Sequence, residues 1–317
     1  MIALKMKKIA LFLSLVLISL TSCSRETKIE DINPNSKEYS KIKVSQEEIE
    51  LSKIIDKPIK TRTAYSKFSD KYIKGGGKEI MVEKINFDES GFRTEHVRYV
   101  SNGDVDLQWL YDYDYYNKLI SVEAFDGYRK PVYKSSINYD HSGYKKSIEE
   151  KGEKENSNTS KGFVYDDNYN LIKINYYNHN GELTNFEDYI YNNNKLDSLY
   201  KYKANKELVS VLTFTYDSLG RISKETLAGN RLKPLITTYK YGESDQLVEI
   251  RNSILSSFQY SYDSNGNLIS EIELNSGGFL QSKFTYRYNK DNLVIEKLRY
   301  DGEDDVALQV RFEYEFY

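Results

Sequence analysis

The sequence has little of several things that usually announce a function. It holds one cysteine, four prolines, three histidines and one tryptophan in 317 residues. A single cysteine excludes a disulfide framework and a multi-cysteine metal site. Neither sign of charge is in marked excess, with 45 Lys+Arg against 48 Asp+Glu. That balance excludes the polybasic footprint of a nucleic-acid-binding protein. Apolar content is only 39%, and much of it is tyrosine, which excludes a leucine-rich bundle or a polytopic helical membrane protein. No GxSxG, GxGxxG, P-loop or HExxH pattern occurs. The run Gly75-Gly76-Gly77-Lys78 lacks the P-loop spacing and reads as a turn.

What is present first is an address. Residues 1–22 carry Lys5, Lys7 and Lys8, then an apolar run from Ile9 to Leu20, too short to span a bilayer comfortably. The run ends in Leu20-Thr21-Ser22-Cys23. This resembles the bacterial lipobox, which implies cleavage before Cys23 and acylation of that residue. Loss of the three lysines takes the formal charge from −3 to −6. The resemblance implies anchoring through lipid in the cell envelope. Ser24, where an inner-membrane retention Asp would stand, favours the outer membrane. Residues 23–57 are polar and charged and read as a tether, with a possible capping box at Ser45–Glu48 before a short helix.

Residues 58–317 are built on a repeat. An aromatic anchor followed by a turn recurs at Phe87, Tyr113, Tyr139, Tyr165, Tyr191, Tyr216, Tyr241, Tyr262, Tyr288 and Tyr314, at spacings of 21 to 26. Two residues before each anchor stands another large apolar side chain. The best-kept turns run Asp88 to Gly91, Asp140 to Gly143, Asp217 to Gly220 and Asp263 to Gly266. Asp accepts hydrogen bonds from the backbone NH groups ahead of it, and Gly takes the position of positive φ. A second turn falls midway, as at Ser101-Asn102-Gly103. Each repeat is therefore strand, turn, strand, turn, with strands of about eight residues. Alternation over Val105–Tyr113 and Leu280–Tyr288 places aromatics on one face and charged or Thr-rich positions on the other. An eroded first repeat is expected before Phe87, and a shortened one between Tyr241 and Tyr262. The expected fold class is all-β: about ten hairpins in one long, curled antiparallel sheet, as a superhelical or barrel-like wrap.

The units Tyr216 to Ile222 and Tyr262 to Leu268 match Tyr-Asp-x-x-Gly-x-Leu/Ile in full. On these residues the chain resembles the YD-repeat (RHS) family, and more weakly the YwqK-type antitoxin hairpin repeats. The first resemblance implies one long sheet that winds into a shell.

Chemistry is sparse on this reading. His96, His141 and His179 lie too far apart in sequence for metal-ligand spacing. His141 and His179 fall at turn positions and read as polar loop residues. The periodic acids read as turn residues, and Asp263 to Asn267 is only half a calcium loop. No catalytic residue, metal or cofactor is expected. The expectation is a non-enzymatic, lipid-anchored envelope protein serving as a scaffold or binding module. Its partners would be the membrane, through Cys23, and a glycan or another envelope protein, with no nucleic acid. A glycan-binding lipoprotein using Tyr side chains and an immunity-type protein are the alternatives. An outer-membrane barrel fits poorly, because the non-aromatic face is charged. A toxin shell would need a C-terminal effector, and the chain stops three residues past its last anchor.

Overall fold

The computed structural model describes residues 58–69, 77–229, 233–301 and 305–317. The signal segment 1–22, the lipobox residues Leu20, Thr21 and Ser22, Cys23, and the tether with its possible helix lie outside the described residues, as do Gly75 and Gly76. The architecture is all-β. Twenty strands form ten successive hairpins in one antiparallel sheet. The first strand, β1 (Ile59–Phe68), pairs both with β2 (Ile80–Phe87) and with the last, β20 (Val306–Phe316), so the sheet closes as a β-barrel. Closure leaves no edge strand exposing unpaired backbone.

The described chain divides into two compact units. One runs over Gly162–Tyr177 and Glu182–Leu255. It holds most of β8 (Thr159–Tyr165), then β9 (Leu171–Tyr177), β10 (Leu183–Asn192), β11 (Lys195–Lys203), β12 (Leu208–Tyr216), β13 (Ile222–Gly229), β14 (Leu235–Tyr241) and β15 (Leu247–Asn252). From β9 to β15 each strand pairs antiparallel with the next.

The other unit holds β1 and β2 with β3 (Arg93–Tyr99), β4 (Val105–Tyr113), β5 (Leu119–Asp126), β6 (Pro131–Tyr139) and β7 (Lys145–Gly152). To these it joins β16 (Ser257–Tyr262), β17 (Leu268–Leu274), β18 (Leu280–Tyr288), β19 (Val294–Tyr300) and β20. Pairing runs without a break from β16 through β20 and β1 to β7. The eroded first repeat expected before Phe87 is the β1–β2 hairpin. The shortened repeat has the two shortest strands, β15 and β16, of six residues each.

Every anchor before Tyr314 closes an even-numbered strand or, for Tyr191, stands one residue from its end. The turn that follows is a three-residue hairpin loop with a bulge. At Asp88, the Gly91 amide donates to the Asp88 carbonyl at 2.9 Å, and the Asp88 amide to the Phe92 carbonyl at 2.8 Å. Gly91 sits at φ 83°, and Gly143, Gly220 and Gly266 lie between 77° and 85°. Asn117, Tyr169, Asp245 and Asn292 take the same left-handed position in other turns. After Tyr191 the loop differs from the other anchor turns. Asn193 and Asn194 both have positive φ, and Asn192 pairs directly with Lys195. That is a two-residue turn of the type that follows strand twist, and it shortens the repeat.

Burial follows the predicted alternation in β18, where Ser282, Phe284 and Tyr286 are buried and Gln281 and Arg287 are exposed. On the more exposed face, cross-strand ion pairs join neighbouring strands, as Lys240 to Glu249 at 3.3 Å and Arg287 to Glu296 at 3.3 Å. The simple division into an aromatic and a charged face does not hold, however. The buried face also carries Arg62, His96, Glu150, Lys161, Glu187, Glu225, Glu271 and Lys297.

Candidate functional site

Three layers of polar chemistry are built on this frame. The first is the turn rim. The Asp88 carboxylate accepts from the Ser90 and Phe92 amides at 3.0 and 2.8 Å. Asp140 accepts from Ser142 and Tyr144, both at 2.9 Å, Asp217 from Leu219 and Arg221, both at 2.9 Å, and Asp263 from Asn265 and Asn267 at 2.9 and 2.8 Å. Hydrogen bonds from the backbone favour the ionised form, so Asp140 is held below the usual carboxylate range, the Tyr144 amide contributing most. The anchor hydroxyls bind backbone as well. Tyr113 donates to the Arg93 carbonyl at 2.9 Å, Tyr139 to Leu119 at 2.8 Å, Tyr216 to Leu196 at 2.7 Å, Tyr288 to Leu268 at 2.7 Å and Tyr314 to Val294 at 2.8 Å. Burial pushes Tyr113, Tyr191, Tyr241 and Tyr262 up to about 12. Phe87 has no hydroxyl; its own carbonyl instead receives the Tyr317 hydroxyl at 2.6 Å.

A cation five residues after an anchor ties one turn to the next. Lys118 lies over the Tyr139 ring at 5.2 Å and donates to the Gly143 carbonyl at 2.9 Å. Arg221 lies over Tyr241 at 4.3 Å and pairs with Asp217 and Asp245.

The second layer is the set of charges on the buried face. Nine residues after the anchor, four repeats place Val122, Ile148, Ile174 or Ile250 and one places Tyr200, but four place His96, Glu225, Glu271 and Lys297, all four of these buried. His96 anchors the most elaborate group. Glu83 on β2 receives Arg62 of β1 on one oxygen at 3.1 Å and meets His96 Nε2 on the other at 3.0 Å. Trp109 of β4 stacks on the imidazole at 4.8 Å, and the Arg98 guanidinium lies over the indole at 5.6 Å. Burial raises the Glu83 pKa, but the His96 hydrogen bond and the Arg62 charge outweigh it and hold the group well below its ordinary value. A second group lies on β16–β19. Tyr286 donates to Glu271 at 3.1 Å, and Lys297 lies over the Phe284 and Tyr286 rings at 4.2 and 4.8 Å. Burial, then the Glu271 charge, pushes Tyr260 and Tyr286 well above 10.

These carboxylates are occupied. Glu83 uses both oxygens; Glu150 takes Tyr133 and Thr159 at 3.1 and 3.0 Å; Glu187 takes the Tyr176 and Tyr189 hydroxyls, both at 3.0 Å. Among the described residues, no three His, Cys, Asp or Glu side chains gather as a metal site. Sequence reasoning missed this buried layer. For His96, Glu225, Glu271 and Lys297 the signal was a polar residue in a column, nine after the anchor, that elsewhere holds Val122, Ile148, Ile174 and Ile250.

The third layer is a set of exposed rings. Tyr115 and Tyr116 in the β4–β5 turn are 94% and 76% exposed, and Tyr128 in the β5–β6 turn is 95% exposed. None is an anchor. His141 sits in an exposed turn, as expected, and so does the backbone around His179.

With the turns, anchors and pairing in place, the comparison with known families is informative. Residues 182–315 match the Teneurin YD-shell family. The match covers the later hairpins, β10 to β19 and all but the last residue of β20. Solved structures with similar strand arrays include TcdB2-TccC3, at 12% identity and TM-score 0.29, covering 71% of this chain and 16% of that one. The Photorhabdus luminescens Tc holotoxin pore shows 12% identity and TM-score 0.29, covering 69% and 15%. A porin-like protein from Bacteroides uniformis shows 8% identity and TM-score 0.36, covering 81% and 98%. The chain thus spans about a sixth or less of the Tc chains it resembles. No curated protein matches the sequence.

Proposed function

We propose that this chain is a non-enzymatic, lipid-anchored cell-envelope protein whose YD-shell-type hairpin array is a scaffold or binding module. One observation carries the reading. The periodic Asp and Tyr side chains, the obvious raw material for acid–base chemistry, bind backbone amides and carbonyls in turn after turn. A general acid or base needs an atom within reach of a substrate proton, and these atoms are engaged in holding turns.

The anchoring half of the proposal rests on the lipobox-like Leu20-Thr21-Ser22-Cys23. Its test is metabolic labelling with a clickable palmitate analogue, followed by membrane fractionation. Wild type should label and sediment with the outer membrane, and Cys23→Ala should do neither. A Cys23→Ala protein that still sediments with the membrane would refute lipid anchoring. Glycan binding is the favoured form of a binding role, because tyrosines outside the anchor series stand free of the sheet at turn tips.

A further inference from the structure

We propose that the rim made by the turns at 88–91, 114–117 and 140–143 is a carbohydrate-binding surface, with Tyr115 and Tyr116 as its stacking platform. This rests on reading the array as a binding module.

The equivalent tips of four other Asp turns carry small or polar pairs, Glu89-Ser90, His141-Ser142, Asp167-Asn168 and Ser264-Asn265, while Ser218-Leu219 and Gly127-Tyr128 each carry a single large exposed side chain. Two consecutive tyrosines at such a tip break the repeat in the direction of exposed aromatic area. Adjacent exposed rings form a contiguous apolar patch, the kind of surface feature that marks an interaction site. The two rings stand edge to face, with centroids 5.5 Å apart and planes at 81°, so each presents its own face.

The platform is also rigid. The Asp114 carboxylate accepts from the Tyr116 and Lys118 amides at 2.9 and 2.8 Å. The Asp114 amide donates to the Lys118 carbonyl at 2.9 Å, and Asn117 holds the left-handed position. Lys118 fastens the turn to Gly143 of its neighbour. A preordered platform loses little entropy on binding.

The surroundings select the ligand class. Turns two strands apart stand about 10 Å from each other. The tips on either side therefore offer exposed Glu89 and Ser90 on one flank and His141 and Ser142 on the other. An aromatic protein hot spot is normally ringed by contacts that exclude water. Here the rings are flanked by a carboxylate, hydroxyls and an imidazole. That set suits a polyhydroxylated ligand, whose apolar ring faces stack on tyrosine while its hydroxyls find donors and acceptors alongside.

The test is calorimetric titration of the full chain with soluble chitohexaose, cellohexaose and xylohexaose. Saturable binding of at least one is expected. Tyr115→Ala/Tyr116→Ala should weaken it by at least about tenfold, as loss of a central aromatic anchor does. Tyr115→Phe/Tyr116→Phe, which keeps the rings, should retain most of the affinity and guards against a folding artefact. Tyr128→Ala, at the far end of β5, should bind as wild type does. No saturable binding of any probe, or equal affinity in the double alanine variant, would overturn the proposal. In the latter case the site lies elsewhere and the binding-module reading stands. Loss of a protein partner in the double variant, without sugar binding by wild type, would also overturn it. The Cys23→Ala labelling result bears only on anchoring.

Discussion

Replacing Glu83 by Gln is the sharpest perturbation of the buried charged layer. The Glu83 side chain is 13% exposed, and its two partners, Arg62 and His96, are buried. The amide keeps a hydrogen-bonding group beside His96 but removes the Glu83 charge from the buried Arg62 guanidinium. Removing one partner of a buried ion pair costs about 3–5 kcal/mol. The Phe312 ring lies 5.7 Å from the Arg62 guanidinium and offsets part of that cost. A loss of about 3 kcal/mol is therefore expected. For a domain of this size that is a fall in Tm of roughly 6–12 °C. The pair as a whole stabilises far less, because both groups give up hydration to enter the sheet. Arg62→Met/Glu83→Met should fall within about 1 kcal/mol of wild type, or exceed it. Urea denaturation of the wild type, the two single variants and the double variant gives the coupling directly. A Glu83→Gln protein within about 0.5 kcal/mol of wild type would refute the reasoning, since only a well-solvated pair behaves so.

Other expectations follow from the turns and anchors. Asp217→Ala removes the acceptor for two backbone amides and should cost about 1–2 kcal/mol by denaturant melting, whereas Asp217→Asn should cost less. Asn275 and Asn289 show why, each accepting the same two amides at 2.9–3.0 Å. Tyr216→Phe should cost about 1 kcal/mol; no measurable loss would mean that the hydroxyl-to-Leu196 bond is solvated in solution. Tyr169, at φ 61°, should gain stability as Tyr169→Gly, by about 1 kcal/mol, because a side chain is strained in that conformation. The pH dependence has two limbs. Asp140, Asp166 and Asp217 are depressed in the folded state. Their contribution is present above an unfolded pKa of about 3.9 and disappears as pH falls through the lower folded values, so acid melting should begin below about pH 4. The anchor tyrosines Tyr113, Tyr191, Tyr241 and Tyr262 are raised to about 12. Their contribution is present below about pH 10 and disappears as pH climbs through the folded pKa, so alkaline unfolding should coincide with the rise in phenolate absorbance.

The hairpin array was legible because two periodicities coincide. The aromatic at each strand end and the Asp-to-Gly turn after it repeat together, and each has one local physical cause. That suffices to place Phe87 through Tyr314 and the turns at Asp88, Asp140, Asp217 and Asp263. Closure was only one of two expected forms, because pairing of β1 with β20 joins residues such as Thr63 and Glu313, which no local pattern links. The two-residue turn at Asn193 and Asn194 looked like a slightly short repeat, since the difference between turn types lies in φ and not in composition. The buried charges were hidden for another reason. Glu83, Arg62 and His96 come from three strands, and a charged side chain at a buried position is stable only through partners that the fold supplies. Tyr115 and Tyr116 were submerged in the count of 30 tyrosines. Their position inside a turn, and not at an anchor, distinguishes them.

The central structural claim is that the first and last strands pair and close the sheet. Thr63 of β1 lies opposite Glu313 of β20, and directly opposed antiparallel residues bring their Cα atoms to about 4.5–5.5 Å, within disulfide range. Thr63→Cys/Glu313→Cys, made in a Cys23→Ala background, should form an intramolecular disulfide under mild oxidation, seen as a reducible mobility shift and a two-dalton mass loss. Thr63→Cys/Gln309→Cys, displaced along the same strand, should not. Efficient crosslinking of the displaced pair, or none of the opposed pair, would contradict the closed sheet.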